Sequence, residues 1–341
     1  MKTIDNERVL DDYISEPPGN LVDLMRTLSG DIAILGIAGK MGIQLGIMAR
    51  RATEAAGIKR RIIGVSRFSD PAAREKLESG RIETISCDLL DEKEVAKLPV
   101  VENVVFMAGK KFGTDSNPDV TWVMNTIAPA LAAKHFLSSR IVVYSTGCIY
   151  NFVSPASGGS TEDDEPKPVG DYAQSALGRE RVFSYYSRTS GTPVCIVRLN
   201  YAIDLRYGVL HDIASKVYKK EAIDLSCGYV NVIWQGDAIA HSLLCLRHCA
   251  HPASVINIAG EEILSVREIA LDFGKRFARP VTFSGVESPS AYLNNASRSH
   301  KLFGSPSVPV STMMDWTAHW LTIGGRSLGK PTHFETKNGR Y

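Results

Sequence analysis

Three observations predict an α/β fold built on a doubly wound parallel sheet. The run Ile32-Ala33-Ile34-Leu35 is apolar on consecutive residues, as a strand buried on both faces must be, and a glycine-spaced turn follows at once. Short apolar strands then alternate with helical segments, joined by short links. At 341 residues the chain can bury a sizeable core as one large or two intimately joined domains.

The first strand feeds Gly36-Ile37-Ala38-Gly39-Lys40-Met41-Gly42, and apolar positions recur at Met41, Leu45 and Met48, the spacing of a helix face. Backbone N–H groups at such a helix start face an anion, and the macrodipole favours negative charge there. Gly36 permits the tight turn, Gly39 lets backbone approach a pyrophosphate, and Gly42 lets the helix lie close on the strand. Gly36, Gly39, Lys40, Met41 and Gly42 are therefore candidate dinucleotide-binding positions. Residues 1–29 precede this unit; Leu21, Val22, Leu24, Met25 and Leu28 form an apolar stripe that predicts a short docked helix.

The second strand, residues 61–65, ends at Ser66-Arg67, about 30 residues beyond Gly36. An acidic residue at this tip binds a ribose 2′-hydroxyl, whereas an arginine accommodates a 2′-phosphate. Ser66 and Arg67 thus favour NADP, with NAD left open. Residues 81–89 alternate as a third strand ending in Asp88-Leu89, where the aspartate is placed to reach an adenine edge. Residues 101–109 form a fourth, whose small Ala108 and Gly109 suit close packing against a cofactor. Lys110 and Lys111 read as solvated charges, or one of them faces a phosphate. A helix carrying Asn125 leads to a fifth strand over 140–150, and a loop rich in Ser, Gly, Asp and Pro spans 151–171, a length typical of functional loops. A helix opens at Asp171-Tyr172, and an amphipathic one over 313–321 closes the fold.

Charged residues are 22% and the formal net charge is +2, with no basic stripe or aromatic platform, so neither nucleic acid nor a membrane surface is an expected partner. The start lacks the apolar core of a signal peptide, and no apolar run approaches the roughly 20 residues of a spanning helix. A soluble, cytoplasmic protein is predicted. The six cysteines include no CxxC pair and read mostly as small hydrophobes. His241, Cys245, His248 and Cys249 share broadly one helix face, but zinc sites draw ligands from more than one element, and no metal is predicted.

The ordered series GIAGKMG at 36–42, CDL at 87–89, FMAG at 106–109, Asn125, STGCIY at 145–150, Tyr172-Ala173-Gln174-Ser175, Arg198-Leu199-Asn200 and 231–237 resembles the extended short-chain dehydrogenase/reductases, the NAD-dependent epimerase/dehydratase family. The resemblance implies a Rossmann domain over 30–200, with parts of 229–260 returning to it, a smaller interleaved substrate domain over 201–330, and a polar tail over 331–341. It implies that Thr146 hydrogen-bonds the reacting sugar oxygen and that Tyr172, also against the cofactor, is the acid/base. Asn200, Asn231, Trp234 and Gln235 fall where the family meets substrate, Trp234 being equally suited to the core. Many relatives pair through helices like that holding Tyr172, so a homodimer is expected.

Two departures stand out. The family pattern is Tyr-x-x-x-Lys, and the lysine position is Ala176; Arg179, one further turn along, substitutes only by bending back. Gly147 and Cys148 stand where sugar-nucleotide dehydratases carry Asp-Glu, which argues against dehydration. The segment instead resembles the Ser-x-Cys-Ile-Tyr of GDP-fucose synthase and GDP-mannose 3,5-epimerase, which implies a proton-transfer role for Cys148 with His211 as its partner. The expected activity is that of an NAD(P)-dependent oxidoreductase or epimerase on a sugar or sugar derivative. The rival, argued from Ala176, is a catalytically silent dinucleotide-binding sensor or scaffold.

Overall fold

The computed structural model describes residues 3–114 and 116–339. Its sheet contains β1 (Ile32–Leu35), β2 (Ile62–Ser66), β3 (Glu83–Ser86), β4 (Asn103–Phe106), β5 (Arg140–Thr146), β6 (Val194–Leu199) and β7 (Ser254–Ile258), all parallel, in the order β7-β6-β5-β4-β1-β2-β3. β1 and β4 are buried along their whole length, which is why both read as unbroken apolar runs. β3 is one of the two edge strands and is only half covered, so its sequence alternates. The strand order reverses between β1 and β4, and the crevice beyond their carboxyl ends is where such sheets take ligands.

The helices that flank the sheet and the site include α1 (Glu7–Ile14), α2 (Gly19–Thr27), α3 (Gly42–Ala55), α4 (Gly170–Ser190), α5 (Val209–Lys219), α6 (Gln235–Leu244), α7 (Val266–Phe277) and α8 (Val310–Thr322). α5, α7 and α8 pack on one another, and three two-stranded ladders tie the second half of the chain together. Trp316 and Trp320 of α8 are buried in the core. No helix among the described residues is long and apolar enough to cross a membrane.

The stripe of residues 21–28 is the buried face of α2. α1, which the apolar periodicity does not announce, is capped by the Asn6 side chain accepting from Val9 N and buries Leu10 and Ile14. These two helices bridge the halves of the molecule. Tyr13 meets Trp234 and Trp316 edge-on, and the buried Arg206 forms ion pairs with Asp204 at 2.9 Å and with Asp11 of α1 at 3.0 Å. Removing one partner of a buried ion pair leaves the others uncompensated, at a cost of about 3–5 kcal/mol. Arg206→Met should lower the unfolding free energy from urea titration by that amount; a loss under about 1 kcal/mol would show the pair to be solvated.

Candidate active site

The glycine turn is closed behind and open in front. Gly36 has φ +89°, and a Cβ there would lie 2.7 Å from Ala108 N; a Cβ on Gly42 would lie 2.3 Å from the Ile37 carbonyl. Gly39 is exposed, with only its own turn's Gly36 carbonyl near, at 3.2 Å. α3 begins with no side-chain cap and no acidic residue in its first turn, so its leading amides are available to an anion. At the tip of β2, Ser66 is half-buried and Arg67 is exposed, without an ion pair among the described residues. Asp88 accepts from Leu90 N at 3.0 Å through one oxygen, beside the buried Leu89.

Beyond β4 the loop is fixed by Asn125, whose Oδ1 accepts from Lys110 N (2.9 Å) and whose Nδ2 donates to Lys110 O (3.0 Å) and Ser175 Oγ (2.9 Å). Asn125 is fully buried within a single π-helical turn, Val123–Ile127, set between helical segments 118–122 and 128–135. Such turns often mark functional positions, because the wider hydrogen-bond ring aims a side chain inward.

The catalytic wall is built where β5 ends. Thr146 closes the strand, a 3-10 turn follows over Gly147–Ile149, and α4 lays Tyr172 against it. Thr146 Oγ1 accepts from Cys148 N at 3.2 Å, and its hydroxyl lines the same cavity wall as Tyr172. A cavity of about 230 Å3 is lined by Lys40, Met41, Lys111, Thr146, Cys148, Tyr172, Asn200 and Tyr207, among others. Burial pushes the Tyr172 phenol up to about 12, while Thr146 and Arg179 pull the other way.

The lysine position of α4 cannot serve this tyrosine. Ala176 is buried against Ile149 and Tyr150. Arg179, seven residues from Tyr172, lies only about 20° off its helical phase, and helical side chains lean toward the N-terminus. Its guanidinium donates to Asn125 Oδ1 at 2.5 Å and to the Tyr144 carbonyl at 2.7 Å. A Cβ on Gly109 would sit 2.3 Å from Arg179 Nη2, so glycine there leaves room for the cation. The bend back expected of Arg179 is therefore the natural direction of its side chain.

Four residues expected at this site are placed otherwise. His211 lies two residues beyond the cavity-lining Val209, about 200° around α5, and its Nε2 is 3.0 Å from Ser327 Oγ in a separate cleft with Asp212 and Glu335. It is not paired with Cys148. Trp234 is buried beneath the N-terminal extension, between Tyr13 and Trp316, where a second cavity of about 270 Å3 lies. Gln235 is fully buried at the start of α6. Asn231 holds framework: it accepts from Asn200 Nδ2 at 2.8 Å and donates to the Gly260 and Asn294 carbonyls. Asn200 reaches the cavity wall, but its amide donates to Asn231 and the Tyr292 carbonyl.

Lys111, Tyr201, Tyr207 and Thr332 also line the cavity, and the sequence alone does not assign them to it. For Lys111 a signal existed: it follows the carboxyl end of a central strand, the ligand edge of the sheet. Thr332 arrives from the tail, anchored through its N–H and hydroxyl to Asp212 at 2.7 and 2.6 Å, and no local pattern announces that contact.

The profile described as the NAD dependent epimerase/dehydratase family matches residues 32–203, half of the chain. Among solved structures, a dTDP-glucose 4,6-dehydratase from Streptomyces venezuelae with NAD and TYD bound superposes with a TM-score of 0.73 at 17% identity, covering 86% of this chain and 97% of that one. A UDP-glucuronic acid 4-epimerase from Bacillus cereus in complex with NAD gives 0.69 at 18% identity, covering 86% and 98%. A UDP-glucose 4-epimerase from Thermotoga maritima with UDP-glucose gives 0.70 at 15%, again covering 86% and 98%. No curated protein matches the chain. The structural likenesses speak for the fold; the profile, matching half the chain, shows that the protein belongs to the NAD dependent epimerase/dehydratase family.

Proposed function

We propose that the protein is an NADP-using oxidoreductase or epimerase that transfers hydride at a carbinol carbon of a sugar or sugar derivative. The observation that carries this reading is that Thr146 and Tyr172 share the wall of a cavity that also takes in Lys40 and Met41 of the glycine turn. The structures it resembles are named for sugar nucleotides, which supports the substrate class.

The residues present fit a dinucleotide: the uncapped start of α3, the open face at Gly39 and the exposed Arg67 are each suited to an anion. Gly36, Gly39, Met41 and Gly42, with the backbone of Lys40, would hold the pyrophosphate, Ser66 and Arg67 a 2′-phosphate, and Asp88 with Leu89 the adenine. Ala108, Gly109, Lys110 and Asn125 would border the inner half. When bound, the group supplies the hydride acceptor. Tyr172 takes the proton of the substrate hydroxyl, and Thr146 positions the oxygen that loses it. Cys148, buried on the same wall, suits proton transfer at a neighbouring carbon, while Gly147 and Cys148 offer no carboxyl pair for dehydration. Val120, Val123 and Ile127 are exposed at helical spacing, consistent with a homodimer through these helices.

The nucleotide released on denaturing the purified protein, together with titration of added NADP and NAD, tests the reading. NADP should bind tighter, and Arg67→Glu should reverse the order by roughly tenfold or more. No binding of either nucleotide would overturn the proposal. Tyr172→Phe should lower hydride transfer by about 100- to 10,000-fold. Arg179→Met should move the pH of half-maximal rate upward by about one unit, because the cation favours the phenolate; an unmoved profile would make Arg179 purely structural.

A further inference from the structure

Two lysines from different loops turn into the catalytic cavity: Lys40 from the glycine turn and Lys111 from the loop after β4. Lys40 Nζ lies 3.3 Å from the centre of the Tyr207 ring, and Lys111 Nζ lies 5.7 Å from the centre of the Tyr172 ring. Lys40 thus points away from its own turn, toward the element leading into α5. Among the described residues no carboxylate forms an ion pair with it. The nearby acids are already engaged. Asp204 accepts from the backbone and guanidinium of Arg206, and Asp212 accepts both bonds from Thr332. Burial pushes Lys40 down to about 7 and Lys111 below its ordinary value, and the Lys111 ammonium adds to the repulsion felt by Lys40. Burying an ammonium beside an acid/base tyrosine is costly, and among the described residues no carboxylate pairs with Lys40, on which Asp204 and Asp212 act only from a distance.

We propose that the substrate carries an anionic group, a carboxylate or a phosphate, close to the carbon that reacts at Tyr172, and that Lys40 and Lys111 grip it. This rests on the reading of the cavity as a hydride-transfer site and narrows its substrate to an acidic sugar or sugar derivative. The groups facing Lys40 are Tyr207, Asp204 and Arg206 from the segment before α5, Asp212 from α5, and Lys111. Of these, Lys40 is the group whose midpoint lies near neutral pH, at about 7. The protonated amine binds the anion, so affinity is full below the Lys40 midpoint and declines above it.

The test uses the full chain saturated with NADP and measures by calorimetry the binding of D-glucuronate, D-glucose 6-phosphate and D-glucose. At least one anion should bind tenfold or more tightly than glucose, and the preferred one identifies carboxylate or phosphate as the source. Lys111→Gln should remove that preference while NADP affinity stays within about twofold. Glucuronate, which does not itself titrate in this range, should bind roughly tenfold more weakly at pH 8.5 than at pH 6.5, and Lys40→Gln should flatten that dependence. Equal binding of glucose and both anions would overturn the proposal with the hydride-transfer reading intact. A Lys111→Gln variant that loses NADP but keeps the anion preference would assign the lysine to the cofactor instead. Failure of the wild-type chain to bind any nucleotide would remove the underlying reading and this proposal with it.

Discussion

The site depends on one buried ion pair. Arg198 of β6 meets Glu180 of α4 through Nε at 3.1 Å and Nη2 at 2.9 Å, both side chains almost fully covered. Ser145 Oγ donates to the same carboxylate at 2.6 Å, and Arg198 Nη1 donates to the Tyr150 hydroxyl, which in turn donates to Asn257 of β7. Three strands, the turn after β5 and α4 are thereby locked in one register. A buried pair of this kind contributes little net stability over an apolar packing, but breaking it is expensive, so it specifies position. Eight residues upstream, the same helix carries Tyr172 to the cavity wall that Thr146 also lines.

Arg179 and Glu180 are consecutive, both buried, and both bond to the end of β5, Arg179 at the Tyr144 carbonyl and Glu180 at the Ser145 hydroxyl. One fixes the helix to the sheet; the other carries positive charge back to Asn125 and toward Tyr172. The alanine at 176 is therefore no simple loss. A cation has been kept near the tyrosine by moving its origin one turn along the helix and lengthening its reach. Gly109 leaves the space it occupies.

Much of this was legible in the sequence because it is local. The apolar run of β1, the glycine turn, and the small pair Ala108-Gly109 each follow from what a few adjacent residues must do. Residues whose meaning depends on distant partners were not. Trp234 suits pocket and core equally until α1 brings Tyr13 over it, and His211 reads as a partner for Cys148 until the phase of α5 is known. Lys110 and Lys111 both follow the ligand edge of the sheet, and only the fold shows that it is Lys111 that lines the cavity. The pairing of Asp212 with Thr332 spans 120 positions and has no signature at either end.

The π-helical turn at Val123–Ile127 constrains how such a site can change. A turn of this kind holds one residue more than the α-helix around it, and that surplus residue sets the direction in which Asn125 faces. Substitutions leave the count untouched. Losing a single residue from the segment would restore regular winding and rotate the preceding helix by about 100° relative to the next, carrying Asn125 away from both Lys110 and Arg179. Apart from Asn125 itself, the arrangement of this active site is thus buffered against exchange of side chains in that segment and brittle toward a change in its length.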